Sequence, residues 1–260
     1  MLDKTRKKYV LETLDHINKN EYLQKMPIIY RYKIDSFDDI RSVDLHTRDR
    51  TIPCNIKIVK ADTIDTLIKY QKETGKKFCF MAFVDSETPG GNYMSGSKRQ
   101  ETYCAIRTNI SVAYQEKYYP HEEYGGLYAK NIVIFRDNEE NKYKYLKDEI
   151  VCDCVYAGLY NKPPIDDKRL EPEYAMKTRM KLIAMMDECL RRNMKNLILG
   201  PVGCGVFKNP SEHIAIIFKE LVHSLKYKNR FENIIFAIKG KDEDKIYNEF
   251  FDFIKTDTLN

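Results

Sequence analysis

Two apolar segments, each emptying into a glycine-bearing loop and then into a helix start, limit the architectures open to this chain. The first is Phe78–Val84, followed by Pro89-Gly-Gly-Asn-Tyr-Met-Ser-Gly-Ser-Lys-Arg-Gln-Glu-Thr-Tyr-Cys104. The second is Asn196-Leu-Ile-Leu199, which runs into Gly200-Pro-Val-Gly-Cys-Gly-Val-Phe-Lys-Asn209 ahead of Pro210, Ser211 and Glu212. Glycine lets bare backbone come close to a ligand, and the N–H groups at a helix start favour anions. Two such junctions would clamp one anionic ligand from two sides. Asn209 suits the N-cap of the second helix and Pro210 its first position, where a missing N–H costs nothing.

The rest of the chain repeats the strand–helix alternation. Tyr9, Val10, Leu14 and Ile17 give Lys4–Lys19 an apolar helical stripe. Asn55–Val59 alternates as a strand, and Asp62 is placed to cap a helix carrying Ile64, Leu67, Ile68 and Gln71. A helical stretch is expected over about 99–114, then a looser tyrosine-, glutamate- and glycine-rich segment over Tyr118–Tyr128, then strands Ile132–Arg136 and Ile150–Ala157. Beyond Pro163-Pro164 a long helix reads over about 173–191, with Met176, Met180, Ile183, Met186 and Leu190 as its stripe. Strand Asn196–Leu199, helix Ser211–Leu225, strand Asn233–Ile238 and a final helix over about 243–254 complete the order. This predicts an α/β fold of three layers, a mixed, largely parallel sheet with helices on both faces. Both glycine loops leave the carboxyl ends of strands, where such sheets bind ligands, so they should meet over one cleft.

With 260 residues and 43% hydrophobic content the chain can bury the core of one large domain. No linker or internal repeat divides it, so residues 1–260 are expected to form a single domain with an N-terminal helical extension. No apolar run is long enough to span a bilayer, and Met1-Leu-Asp-Lys-Thr-Arg is charged where a secretory signal is greasy. An intracellular, cytoplasmic protein with no membrane association is expected. Seven scattered cysteines, none in a Cys-x-x-Cys pair, suit a reduced compartment. Cys152 and Cys154 would be small apolar fillers on one strand face, and five dispersed histidines indicate no metal site; no cofactor is expected. The formal charge of +5 favours anionic partners without demanding a polynucleotide, and Lys226, Lys228 and Arg230 read as solvated surface.

Taken together, Pro89-Gly90-Gly91 through Gln100-Glu101 and Leu199-Gly-Pro-Val-Gly-Cys-Gly-Val-Phe207 resemble the microbial type of poly(ADP-ribose) glycohydrolase, a branch of the macrodomain fold. Its signature is three glycines, a short spacer and Gln-Glu-Glu, with a second loop of the form Gly-Cys-Gly-Val-Phe. The resemblance runs from Glu12-Thr13-Leu14 through Asp62-Thr63 to Phe236-Ala237-Ile238. It implies that Gly90, Gly91 and Asn92 line the ribose and diphosphate of ADP-ribose, and that Gln100 and Glu101 sit beside the ribose bearing the scissile bond. Gly203, Cys204, Gly205 and Val206 would wrap the diphosphate, and Phe207 would pack on the ligand near the same ribose. The partner implied is ADP-ribose, free or attached to protein or nucleic acid.

Two positions depart from that signature. Asn92 stands for the third glycine, and asparagine tolerates the left-handed backbone better than other side chains do. Thr102 stands for the second glutamate, the family's general acid, and a threonine hydroxyl cannot donate a proton near neutral pH. Thr102 can hydrogen-bond a ribose; the catalytic carboxylate would then be Glu101, with Asp85 or Glu87 as alternatives. Three readings follow: a glycohydrolase built on Glu101, an inactive ADP-ribose reader, and a protein acting on another nucleotide-derived metabolite or on ADP-ribosylated nucleic acid. On the first two, Thr102→Glu should create or raise activity if the site geometry is kept.

Overall fold

The computed structural model describes residues 3–35, 53–240 and 243–255. Among them a seven-stranded sheet runs in the order β1 (Ile28–Lys33), β4 (Gly125–Arg136), β5 (Tyr145–Ala157), β3 (Cys79–Phe83), β8 (Asn196–Leu199), β9 (Asn233–Ala237), β2 (Asn55–Val59). β5, β3, β8, β9 and β2 are parallel neighbours, while β1–β4 and β4–β5 pair antiparallel. Two short strands, β6 (Ile165–Asp166) and β7 (Arg169–Leu170), pair with each other outside this sheet. Every residue of Cys79–Ala82 is buried, because a parallel strand covered on both faces is apolar on both.

Helices cover both faces. On one, Met81, Leu197, Leu199 and Phe236 pack against α5 (Pro172–Arg191), α6 (Ser211–His223) and α7 (Glu243–Lys255) through Met186, Phe218 and Phe250. On the other, Phe80, Ala82, Ile198 and Ile235 meet Ile64 and Leu67 of α3 (Thr63–Thr74) and Cys104 and Ala105 of α4 (Gln100–Arg107). Asp62 caps α3 as its position predicts, accepting from the amides of Ile64 and Asp65. Helix α1 (Asp3–Lys19) lies outside α4: Val10 packs with Ile106 and Tyr143, and Thr13 Oγ1 donates to Ile106 O. Its Ile17 packs with Val133, Phe135 and Leu23 of the short helix α2 (Glu21–Lys25). Cys152 and Cys154 are buried fillers, and all seven cysteines are free thiols.

The structure differs from the sequence reading in several places. β1 had no counterpart in it, and β4 begins at Gly125, inside the segment read as loose. The helix expected over 99–114 stops at Arg107, because Thr108 is extended and bridges Ile134 while the Asn109 side chain bonds Leu23 O and Val133 N. Asn209 is not the N-cap of α6; Pro210 holds that position and the Asn209 amide is used elsewhere. Met176 is exposed, outside the buried stripe of α5. Of the basic trio, Lys226 pairs with buried Asp187 at 2.6 Å and Arg230 is buried; Lys228 alone is exposed.

Candidate functional site

The parallel strands all point their carboxyl ends at one cleft of about 910 Å³. Its wall is built from the segments that leave those ends: Ala61–Thr63 after β2, Val84 and Asp85 after β3, Leu159 after β5, Pro201–Lys208 after β8 and Ile238–Gly240 after β9. The first turn of α4, with Lys98 and Arg99 just before it, closes one side, and Asn138, Glu139, Glu140 and Tyr143 of the β4–β5 turn close another. A cleft at this end of a parallel sheet is where α/β proteins place ligands.

Gln100 opens α4 and fixes it to the sheet. Its Oε1 accepts from Phe83 N at 3.0 Å and its Nε2 donates to Met81 O at 2.9 Å, so the side chain replaces a missing strand partner at the end of β3. That contact sets the rotation of the helix and directs the next residue, Glu101, into the cleft wall. Glu101 is 3% exposed, and its Oε1 has no hydrogen-bond partner. Burial, helped by the charge of Asp85, pushes its carboxyl up to about 8, while Arg99 and the Asp85 amide act the other way. A carboxyl group lining a large cleft and holding its proton near neutral pH has the properties of a general acid.

The first glycine loop serves this carboxyl group more than it serves the cleft. Gly90, Gly91 and Asn92 are not among the lining residues. Gly91 N bonds Thr88 O and Tyr93 N bonds Gly90 O, so the loop spends these groups on its own turns. Gly90 and Gly91 both have positive φ, and both lie where a side chain would collide: a Cβ on Gly91 would sit 2.7 Å from Glu101 Oε2, and one on Gly90 2.6 Å from the Tyr114 ring. Asp85 Oδ1 accepts from the amides of Glu87 and Thr88 and so shapes the approach to the loop; Glu87 is exposed and outside the cleft. Thr102 is fully buried, outside the lining, with its hydroxyl 3.1 Å from Ser97 Oγ.

The second loop carries the bare backbone. Gly203, Cys204, Gly205, Val206 and Phe207 all line the cleft, and the amides of Gly205, Val206 and Phe207 have no acceptor among the described residues. Asn209 holds the loop in shape: its Nδ2 lies 2.8 Å from Tyr160 O, 3.1 Å from Gly203 O and 3.4 Å from Phe207 O. Free amides on a rigid turn form an anion-binding concavity. Burial pushes the Cys204 thiol well up, so it stays neutral there. Lys98, Arg99, Lys208 and Lys239 add positive charge around the same cleft. Sequence reasoning did not single out these cations or the Asn138–Tyr143 turn: Lys98, Arg99 and Lys208 lie inside the two glycine-loop motifs, where the glycines carried the reading, and Lys239 and the turn belong to no local motif.

An α/β chain with a buried carboxyl group and a loop of free amides in the wall of one strand-end cleft defines the class. The profile of the microbial-type PARG catalytic domain matches residues 7–138, just over half of the sequence, and the chain belongs to that family. Among solved structures, it is similar to the poly(ADP-ribose) glycohydrolase of Thermomonospora curvata, with 17% identity over 95% of this chain and 98% of that one and a TM-score of 0.79. The same protein bound to the inhibitor ADP-HPD superposes with a TM-score of 0.76 at 17% identity, with the same coverage of 95% and 98%. The enzyme from Deinococcus radiodurans in complex with ADP-ribose gives 0.74 at 18% identity, over 90% of this chain and 96% of that one. Comparison with curated proteins gave no match. At such identities these likenesses establish the macrodomain-like fold.

Proposed function

We propose that this protein binds ADP-ribose in the strand-end cleft and hydrolyses the glycosidic bond that joins ADP-ribose to a modified macromolecule. The observation that carries the reading is Glu101: a buried, protonated carboxyl group in the wall of a cleft whose opposite loop offers free amides. The diphosphate would lie on the amides of Gly205, Val206 and Phe207, with Gly203 and Cys204 completing the turn and Phe207 against the ribose. Gln100 holds the acid in place, and the first glycine loop seats it.

In this scheme the Glu101 O–H gives its proton to the leaving oxygen as the ribosyl C1–O bond breaks and positive charge develops on the sugar. Water then adds to C1, and its proton passes to the Glu101 carboxylate, which restores the acid. One carboxyl group thus performs both proton transfers, and the reaction as written draws on no cofactor. Family membership, and the relatives seen with ADP-ribose and ADP-HPD, support the ligand. The substrate would be an ADP-ribosylated protein, or nucleic acid modified in the same way. We further propose that residues 1–260 act as one domain with α1 as its helical extension, inside the cell. No helix among the described residues is long and apolar enough to cross a membrane.

A second reading, a reader that holds ADP-ribose without cleaving it, is favoured by one observation: Thr102 is buried against Ser97 and brings no carboxylate to the cleft. Release of ADP-ribose from defined poly- and mono-ADP-ribosylated proteins, run beside Glu101→Gln, separates the two. The hydrolase reading expects release by the native protein and its loss in the variant. Capture of the modified protein without release would leave the reader.

A further inference from the structure

Arg107, the last residue of α4, is a cation of the cleft wall that is only 1% exposed and whose three side-chain nitrogens all bond within the protein. Nη1 donates to Asp62 Oδ1 at 2.8 Å, Nη2 to Asp65 Oδ1 at 2.6 Å and Nε to Arg136 O at 3.3 Å. Asp62 is the cap of α3, in the segment that follows β2. Asp65 carries the contact further: its Oδ2 accepts from Asn138 Nδ2 at 3.1 Å, at the start of the β4–β5 turn. The far end of that turn hangs on the residue whose carbonyl Arg107 holds, since Arg136 Nη1 donates to Tyr143 O at 3.0 Å. Asp62, Arg107, Asn138 and Tyr143 all line the cleft. One guanidinium therefore joins three segments of the wall that are distant in sequence.

Taking a guanidinium out of water is costly, and its attraction to carboxylates offsets that cost only in good geometry, so a buried pair is weak evidence of a stabilising role. Fixing geometry is the other use of such a pair. The arginine fork is planar and rigid, so its two arms hold two carboxylates in set directions. We infer that Arg107 is a positioning residue for the ligand: it fixes the spacing of the α3 cap, α4 and the β4–β5 turn, and with it the fit of the cleft to ADP-ribose. Gln100 pins the opposite end of α4 to β3, next to Glu101. Arg107 lies about 9 Å further along the helix axis than Glu101. The two ends of α4 thus have separate duties, one orienting the acid and one setting the wall. Disturbing Arg107 weakens binding and leaves the chemical step in place.

That the ligand is ADP-ribose rests on the function proposed above; the tie across the wall does not, and one arm of the test needs no ligand. Arg107→Lys keeps the charge, but a single ammonium cannot span both carboxylates. Asp65→Ala cuts the same chain from a residue that does not line the cleft, so it reaches a ligand only through Arg107 and Asn138. The amides of Lys142 and Tyr143 bond inside the turn, to Glu139 O and Asn138 O. In both variants their hydrogen exchange should speed up about tenfold more than that of the β3 amides, which report loosening of the whole fold. Turn amides that keep pace with β3 overturn the inference. Calorimetric titration should show ADP-ribose bound about tenfold more weakly by either variant, and no more weakly by the double variant, since both changes break one chain. Losses that multiply in the double variant would mean independent effects and also overturn it. In release assays KM should rise with kcat held within about twofold, and a fall in kcat at unchanged KM contradicts the division of duties along α4. If the native protein does not bind ADP-ribose while the turn loosens as expected, the functional reading fails and the tie stands. Native binding that neither variant alters, with turn exchange unmoved, gives the reverse.

Discussion

Glu101 occupies a place that suits it only while neutral, and this has consequences for stability as well as chemistry. Its carboxyl is pushed from the usual 4.5 to about 8 by burial, so between these values the folded chain binds more protons than the unfolded one. Its contribution to stability is fully present below 4.5 and is lost as pH rises through about 8. Glu101→Gln removes that loss. The melting temperature of the variant relative to the native protein should therefore increase between about pH 5 and about pH 9, and a constant difference across that range would contradict the shift. On the proposed hydrolase reading catalysis has the same sign: if Glu101 is the acid, ADP-ribose release should decline above about pH 8, which a pH–rate profile checks. Thr102 behaves differently. It is fully buried with its hydroxyl on Ser97, so a glutamate there adds bulk and a carboxyl group where there is no room. Thr102→Glu is expected to destabilise the fold by about 1–3 kcal/mol and to leave ADP-ribose release no faster than native. Thermal melts and initial rates check both, and a tenfold faster release would show that the new carboxyl reaches the cleft.

At the scale of elements, the site depends on two polar side chains that each replace backbone pairing at a strand end. Gln100 ties α4 to β3, and Asn209 ties the second loop to itself and to Tyr160. Asn209→Ala removes every one of the Asn209 side-chain bonds but leaves the cleft wall in place. ADP-ribose binding should weaken about tenfold, about 1.4 kcal/mol, because the free amides lose their fixed geometry. Calorimetric titration measures this, and an unchanged affinity would mean that the loop is held by its other contacts. The two strand–turn–helix junctions were readable from local signals in the sequence, whereas Gln100 and Glu101 were named only through the resemblance to the family. Asn209 was legible only as a helix cap, since its true partners lie at residue 160 and across the loop. β1 escaped because it is an edge strand whose Tyr30 and Tyr32 alternate with Arg31 and Lys33 over only six residues, too short a pattern to separate from loop. The break of α4 at Thr108 is likewise tertiary, imposed by Ile134, Leu23 and Val133.

Across the whole molecule, the acid is held from outside as well as from the sheet. Helix α1 lies on the turn that precedes α4: Arg6 Nε donates to Gly96 O at 2.8 Å, and the Arg6 guanidinium also reaches Asp3 and Glu139, the last of these a cleft residue. Gly96 is the point of closest approach. Its φ is +74°, and a side chain there would lie 2.5 Å from Lys7 N, a backbone atom in the body of α1 that cannot turn aside. Gly96→Ala therefore meets two costs: the left-handed backbone, about 1–2 kcal/mol, and the displacement of α1. Displacing α1 would expose Val10 and Ile17 and remove the support behind Ile106 on α4, one turn along from Glu101. The expected outcome is a loss of stability larger than the backbone cost alone, together with a fall in ADP-ribose release that exceeds the loss in ADP-ribose affinity. The second loop, which would carry the diphosphate, is held by Asn209 and Tyr160, whereas the acid sits on the helix that α1 supports. A variant that loses affinity and release in equal measure would show that α1 steadies the whole cleft and not Glu101 in particular.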